Sequence, residues 1–65
     1  MKDAMQLLTE REREVVLLLS MGLTYEKISV KMKVSHETVK MHLKNIYRKL
    51  KVQNKIEALQ KVKLL

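Results

Sequence analysis

Apolar side chains recur along this chain at the three- and four-residue spacing that is typical of helices, and short polar segments separate the runs. The clearest run predicts a helix of residues 36–50. Its inward face comprises Val39, Leu43, Ile46 and Leu50. A shorter run predicts a helix of residues 25–32. The residues that mark it, at spacings of three and four, are Tyr25, Ile28, Ser29 and Met32.

Each predicted helix begins after a residue whose short polar side chain can accept a hydrogen bond from a free backbone amide. These capping residues are Thr9, Thr24, Ser35 and Asn54. Glu12 completes a capping box with Thr9, and Gly22 is expected to end the first helix in the left-handed conformation. The chain is therefore predicted to form an all-α, four-helix bundle. Its helices are expected at residues 10–21, 25–32, 36–50 and 55–62.

The first predicted helix carries a cluster of charged residues and two apolar residues that lie off its inward face. Capping and ion pairs on the helix surface explain Arg11, Glu12 and Glu14, so these residues are interpreted as structural. Val16 and Leu17 are expected to face solvent or a neighbouring domain.

Length and composition exclude several functional classes. A chain of 65 residues is predicted to form a single domain, residues 1–65, which is too short for a deep enzyme cleft. No nucleophile, base and orienting group can be assembled, so neither an enzymatic activity nor a cofactor is expected. Cys is absent and no ligand set surrounds His36 and His42, so no metal site is expected either.

The positive charge is concentrated in the second part of the chain. Residues 1–26 contain three basic and five acidic residues, whereas residues 27–65 contain eleven basic and two acidic residues. In the third predicted helix, Lys40, Lys44 and Arg48 recur every four residues, away from the apolar face. A cationic surface on one helix indicates a polyanionic partner, although a lysine-rich face kept for solubility would carry the same charge.

Two helices joined by a short turn, the second with a basic outer face, are typical of the helix-turn-helix that reads duplex DNA. This motif needs an apolar anchor, a small residue at the helix crossing and apolar residues around the turn. Those positions hold Ile28, Ser29, Met32, Val34 and Val39. Lys33 stands in the turn where glycine is common, so it is expected to adopt a less favourable backbone conformation.

Three sequence blocks occur in a characteristic order and spacing. They are Leu8-Thr9-x-Arg11-Glu12-x-Glu14-Val15, Ser35-x-x-Thr38-Val39-Lys40-x-His42 and Ile46-x-x-Lys49-Leu50-x-Val52. With Gly22 and Ile28 between the first two, these blocks resemble the LuxR or GerE family of helix-turn-helix domains, which includes the output domains of NarL-like response regulators. The resemblance covers residues 8–62, nearly the whole chain.

The resemblance implies that the third predicted helix enters the major groove of DNA. Lys40 and Lys44 would reach base edges, where lysine can donate to guanine O6 and N7. Met41, between them, would touch a thymine methyl group. These three residues are the predicted base contacts.

Contacts with the DNA backbone are also implied. Ser35, Thr38 and the amides at the start of the same helix would hold a phosphate. Arg48 would either contact a phosphate or pair with a neighbouring helix. Tyr25 departs from the asparagine that many relatives carry, so the resemblance gives no phosphate contact from the second helix.

In this family the fourth helix usually packs across a partner chain in a dimer. The dimer interface implied here comprises Ile56, Leu59 and Val62. Lys55 replaces a common arginine, which keeps the charge and loses the forked hydrogen-bond geometry.

Together these features predict sequence-specific binding of double-stranded DNA by the output domain of a bacterial transcription regulator, as a homodimer on DNA. One alternative is a promoter-reading region of a sigma factor, which would contact RNA polymerase directly. The other is a protein-interaction module that pairs through Leu59 and Val62. The longest apolar run, residues 15–19, is too short to cross a membrane and the start lacks a signal-peptide pattern, so a cytoplasmic location is expected.

Overall fold

The regular structure is helical in the part of the chain that the structure describes. The computed structural model describes residues 3–64; residues 1, 2 and 65, which the predicted domain includes, lie outside the described residues. The α-helices are α1 (Glu10–Ser20), α2 (Tyr25–Met32), α3 (His36–Leu50) and α4 (Lys55–Lys61). A 3₁₀ helix, Ala4–Leu7, precedes α1, and residues 3–64 contain no strand. The predicted all-α, four-helix fold is confirmed.

The helices begin at the predicted capping residues. The Thr9 hydroxyl accepts a hydrogen bond from the Glu12 amide at 3.1 Å, and the Glu12 carboxylate accepts one from the Thr9 amide at 2.9 Å. The side chains of Thr24, Ser35 and Asn54 likewise each accept a hydrogen bond from the amide three residues ahead, at the start of the next three helices. α2 and α3 have the predicted bounds, while α1 and α4 end one residue earlier than expected. The capping pattern therefore located the start of each of the four α-helices, whereas the 3₁₀ helix was not predicted.

Helix ends depend on residues in the left-handed region. Gly22, after α1, has φ 81°, as predicted from its lack of a side chain. Lys33 after α2 and Lys51 after α3 both have φ 58°, and Lys63 after α4 has φ 62°. The unfavourable conformation predicted for Lys33 is confirmed, whereas nothing in the sequence marked Lys51 or Lys63. These lysines adopt a conformation that strains any residue with a Cβ atom.

Replacing Lys33 with glycine should stabilise the fold. Relief of left-handed strain, partly offset by the greater freedom of glycine in the unfolded chain, should raise the free energy of unfolding by about 0.5–1 kcal/mol. Thermal unfolding measures the change. Lys33→Ala is the control, because it removes the same charge and keeps the strain. A Lys33→Gly variant no more stable than Lys33→Ala would show that the strain is relieved in some other way.

A single hydrophobic core lies between the four α-helices. Its buried side chains are Leu8, Val15, Val16, Leu19, Ile28, Met32, Val39, Leu43, Ile46, Leu50, Ala58, Leu59 and Val62. Val16 is fully buried, so the expectation that it faces solvent or another domain is wrong; Leu17 is exposed. α1 buries two adjacent residues, Val15 and Val16, because it contacts α2, α3 and α4 at once.

The turn between α2 and α3 fixes the orientation of α3. Val34 is half-buried and packs against the core, as predicted. Its amide donates to the Ser29 carbonyl at 3.0 Å, which closes the end of α2. The Arg11 side chain donates to the Met32 carbonyl at 3.2 Å, so α1 also caps α2. Both contacts secure the C-terminal end of α2, at the start of the turn.

Glu12 is buried, which corrects the interpretation of this residue as part of a surface ion-pair cluster. Lys49 of α3 donates to its carboxylate at 2.7 Å. Burial alone would raise the pKa of Glu12, but the hydrogen bonds from Lys49 and Thr9 and the positive charge of Lys49 outweigh burial and lower the pKa below its ordinary value. This ion pair fastens the start of α1 to the second half of α3.

Within residues 3–64, no helix combines the length and the apolar character that crossing a membrane requires.

Candidate nucleic-acid interface

The outward face of α3 is cationic and open to solvent. Its buried residues occupy one side of the helix, so the residues opposite them are exposed. Lys40, Met41, Lys44 and Arg48 are all exposed, Met41 by 64% of its surface. These four predicted contact residues line one shallow depression along the helix. We call this surface, with the other two residues that line it, Glu37 and Asn45, the α3 face.

The cationic groups of the α3 face are not neutralised by neighbouring carboxylates. Lys40 lies 3.9 Å from the Glu37 carboxylate, and both side chains are mostly exposed, so solvent screens the pair. Arg48 donates to the Asn45 side-chain oxygen at 3.3 Å, a contact with a neutral group. Among residues 3–64, neither Lys44 nor Arg48 forms an ion pair. The face can therefore bind an anionic or hydrogen-bond-accepting surface at the cost of only one weak, solvent-screened ion pair.

The start of α3 offers free backbone donors next to this face. Ser35 accepts from the Thr38 amide at 3.1 Å, and the two hydroxyl oxygens lie 3.0 Å apart. Val39 donates the first helical amide hydrogen bond, to the Ser35 carbonyl. By helix geometry the amides of His36 and Glu37 have no partner within α3. Ser35 thus serves first as a cap, and the two following amides are the groups available to an anion.

A second depression adjoins the α3 face on the side of α2. Tyr25, Lys40, Leu43, Lys44 and Tyr47 line it, so both tyrosines of the chain lie beside the two lysines. Burial, together with the neighbouring Tyr25 hydroxyl, raises the pKa of Tyr47 to about 12. Tyr47 is therefore a neutral hydrogen-bonding group at any physiological pH.

Glu37 and Asn45 belong to the α3 face although the sequence analysis did not select them. Successive residues of a helix are 100° apart, and this spacing places both on the outward half with Lys44. The signal was available in the sequence. It was missed because the candidates were limited to the basic stripe, to Met41 within it and to the residues at the helix start that the family resemblance implied.

The residues predicted for a dimer interface are divided by the structure. Ile56, at the start of α4, is about half exposed. Leu59 and Val62 are each only 5% exposed and belong to the core of the single chain. The predicted interface is corrected accordingly, because only Ile56 of the three presents a surface to a partner.

Neither histidine belongs to a metal-binding cluster. His36 is exposed at the start of α3, and His42 is half-buried six residues later. Within residues 3–64, no three His, Asp or Glu side chains are close enough together to hold a metal ion. The chemistry of this surface is that of exposed cations, amides and one carboxylate.

Comparison with known proteins places nearly the whole chain in one family. Residues 6–62 match the family described as bacterial regulatory proteins, luxR family. The chain is 39% identical over 57 residues to the nitrate/nitrite response regulator protein NarP of Escherichia coli, covering 88% of the chain and 26% of that protein.

Two further relatives are also regulatory proteins by name. The probable transcriptional regulatory protein SgaR of Hyphomicrobium methylovorum is 45% identical over 56 residues, 86% of the chain and 26% of that protein. The response regulator protein VraR of Staphylococcus aureus is 40% identical over 53 residues, 82% of the chain and 25% of that protein. The chain thus spans about a quarter of the length of these curated relatives. The resemblance seen in the sequence is confirmed, and the chain belongs to the luxR family of bacterial regulatory proteins.

Proposed function

We propose that this chain is a sequence-specific double-stranded DNA-binding domain that inserts α3 into the major groove. One observation carries the proposal: the α3 face is exposed and cationic, while the other side of α3 is anchored in the core. A major groove about 12 Å wide admits an α-helix with its side chains. The helix-turn-helix arrangement of α2, the turn and α3 suits such docking, because the buried side of α3 leaves the α3 face toward the groove.

Lys40 and Lys44 are the proposed base-reading cations. They lie four residues apart on the same side of α3, a rise of about 6 Å, which is nearly two base-pair steps of about 3.4 Å along the groove. Their ammonium groups can donate to guanine O6 and N7. Met41 is an exposed apolar side chain beside them, suited to contact with a thymine methyl group.

Backbone contacts would position the helix. The free amides of His36 and Glu37 and the positive end of the α3 dipole suit a phosphate at the helix start. The Thr38 hydroxyl adjoins them, with Ser35 holding the turn in place. Arg48, near the other end of the α3 face, is proposed to contact a second phosphate.

The setting of the domain is proposed from its relatives. NarP and VraR are response regulators by name, so the chain is proposed to act as the output domain of a bacterial transcription regulator in the cytoplasm. Two copies would place two α3 helices on half-sites of one operator, with Ile56 as part of the contact. A transcription regulator of this kind would also contact RNA polymerase.

Selection from a random duplex pool tests the proposed function. The chain should enrich a defined motif at moderate salt. Its affinity for random duplex should fall about 100-fold between ~50 and ~200 mM salt if about four phosphates are neutralised. Enrichment of no motif would contradict the proposal, and so would salt-insensitive or absent binding. A single-stranded pool of the same composition is the control for binding to polyanions in general.

A further inference from the structure

Glu37 is a carboxylate within the cationic α3 face. It lines the same depression as Lys40 and Lys44, and it is the only acidic residue in α3. Its side chain is 85% exposed, and its contact with Lys40, at 3.9 Å, is too long for a hydrogen bond. The carboxylate oxygens are thus free to accept hydrogen bonds from another molecule.

A carboxylate at this place is unfavourable unless DNA supplies a donor. Phosphates on both sides of the groove repel it, so it weakens binding to any duplex by electrostatics alone. The major groove exposes amino donors on cytosine and adenine only. The adenine amino group lies between two acceptors, its own N7 and O4 of the paired thymine, which both repel a carboxylate. The cytosine N4 amino group has an acceptor, O6 of the paired guanine, on one side only.

We propose that Glu37 is a specificity-determining residue that accepts a hydrogen bond from the N4 amino group of a cytosine. The inference rests on the proposed DNA-binding function and names one base of its target. Glu37 lies in the first turn of α3, and residues there approach base edges in helix-turn-helix complexes. Lys40 follows three residues later and donates to a guanine close by.

The two side chains reach the same or adjacent base pairs. Three residues of helix span about 4.5 Å, compared with about 3.4 Å per base pair. Glu37 and Lys40 therefore form a matched acceptor and donor for a cytosine and a guanine at one step of the operator. At the base that Glu37 contacts, guanine or thymine would offer no amino donor, and adenine would place its N7 acceptor close to the carboxylate.

Selection with variant chains tests this inference. The wild-type chain, Glu37→Gln and Glu37→Ala are each taken through the same random duplex pool. The wild type should require cytosine at one position. Glu37→Gln should shift that position toward adenine, because a carboxamide both donates to N7 and accepts from the amino group. Glu37→Ala should relax it, with a loss of preference for cytosine of about 5- to 100-fold.

Glu10→Gln is the matched control. Glu10 is an exposed carboxylate in the first turn of α1, so it resembles Glu37 in its helix position and lies outside the α3 face. Its variant should select the wild-type motif. A second measurement uses a duplex without the motif: removal of the Glu37 charge should strengthen this non-specific binding, an effect that a purely helix-stabilising carboxylate would not produce.

The outcomes separate the inference from the proposed function. If the wild type selects a motif and both Glu37 variants select the same base at every position, Glu37 does not read a base, and the proposed function stands. If the wild type selects no motif, the proposed function fails and this inference fails with it. Circular dichroism of each variant confirms that α3 is intact before the motifs are compared.

Discussion

The double variant Lys40→Ala, Lys44→Ala should bind its selected duplex more weakly by about 2–6 kcal/mol, the largest loss of affinity expected from any pair of substitutions in the chain. Each lysine should contribute about 1–3 kcal/mol through donation to a base edge. Because they lie one turn apart on one helix, their effects need not add, so both single variants are measured as well.

The α3 face gives the physical reason for this size of effect. Both ammonium groups are exposed in the free chain, so the proposed hydrogen bonds to guanine would form without breaking a strong internal ion pair. Truncation to alanine should leave the fold intact, since exposed side chains outside the core change stability by less than about 0.5 kcal/mol. Thermal unfolding of the variant should therefore match that of the wild type.

The control separates base reading from charge. Lys31→Ala combined with Lys61→Ala removes two positive charges from α2 and α4, outside the α3 face. This control should weaken binding to all duplexes slightly and equally. The Lys40 and Lys44 variant should lose discrimination between the selected motif and its single-base changes. If the Lys40 and Lys44 variant instead loses the same affinity for every duplex, the two lysines contact only phosphates, which would contradict their proposed role in base reading.

Local signals in the sequence were sufficient to predict where the helices begin and which side of α3 is buried. A side chain such as Ser35 caps an amide three residues ahead, so the relevant partners are neighbours in the chain. Likewise, the inward face of α3 follows from the 3.6-residue period alone. The exposed side of α3, and with it the candidate site, could be predicted for the same reason.

Features that depend on tertiary contacts could not be predicted in this way. The partner of Glu12 is Lys49, 37 residues further along, and a capping box explained Glu12 without it. Val16 looked like a surface residue because α1 was treated as an amphipathic helix with one partner. It is buried because α1 contacts three other helices.

The burial of residues in α4 likewise could not be predicted from local signals in the sequence. Its apolar residues Leu59 and Val62 suit either a core or a dimer interface, and periodicity alone does not decide between them. Packing of α4 against α1 and α3 decides it in favour of the core. A dimer surface on this helix must therefore use residues such as Ile56 that the core leaves exposed.

The ion pair between Glu12 and Lys49 gives the second large effect, on stability. Glu12→Ala should lower the free energy of unfolding by about 2–3 kcal/mol, because it removes a charge-assisted hydrogen bond and one half of the α1 capping box. The loss should be smaller than the 3–5 kcal/mol for breaking a fully buried pair, since the Lys49 side chain is 31% exposed. In a domain this small, such a loss is a large fraction of the total stability.

The pair should also determine how stability responds to acid. The pKa of Glu12 is lowered in the folded chain, so its contribution is complete above the ordinary pKa of 4.5 and is lost as the pH falls through the lower folded value. Urea unfolding between pH 7 and pH 3 measures the part of the free energy of unfolding that depends on the ionisation of Glu12. The Glu12→Gln variant cannot ionise at this position, so its stability should lack this dependence on acid. The control, Glu14→Gln, removes an exposed carboxylate from the same helix and should keep the acid dependence that Glu12 produces.

Lys49→Met supplies the opposite test, because it keeps an apolar stem and removes the cation. Glu12 would then be a buried carboxylate without its strongest partner, and its burial, which favours the neutral acid, should raise the pKa of Glu12. The stability of this variant should therefore depend less on acid than that of the wild type, or increase as Glu12 is protonated. A Lys49→Met variant with the stability and the acid dependence of the wild type would mean that the pair contributes nothing to the attachment of α3 to α1. The alignment of α3 would then rest on the hydrophobic core alone.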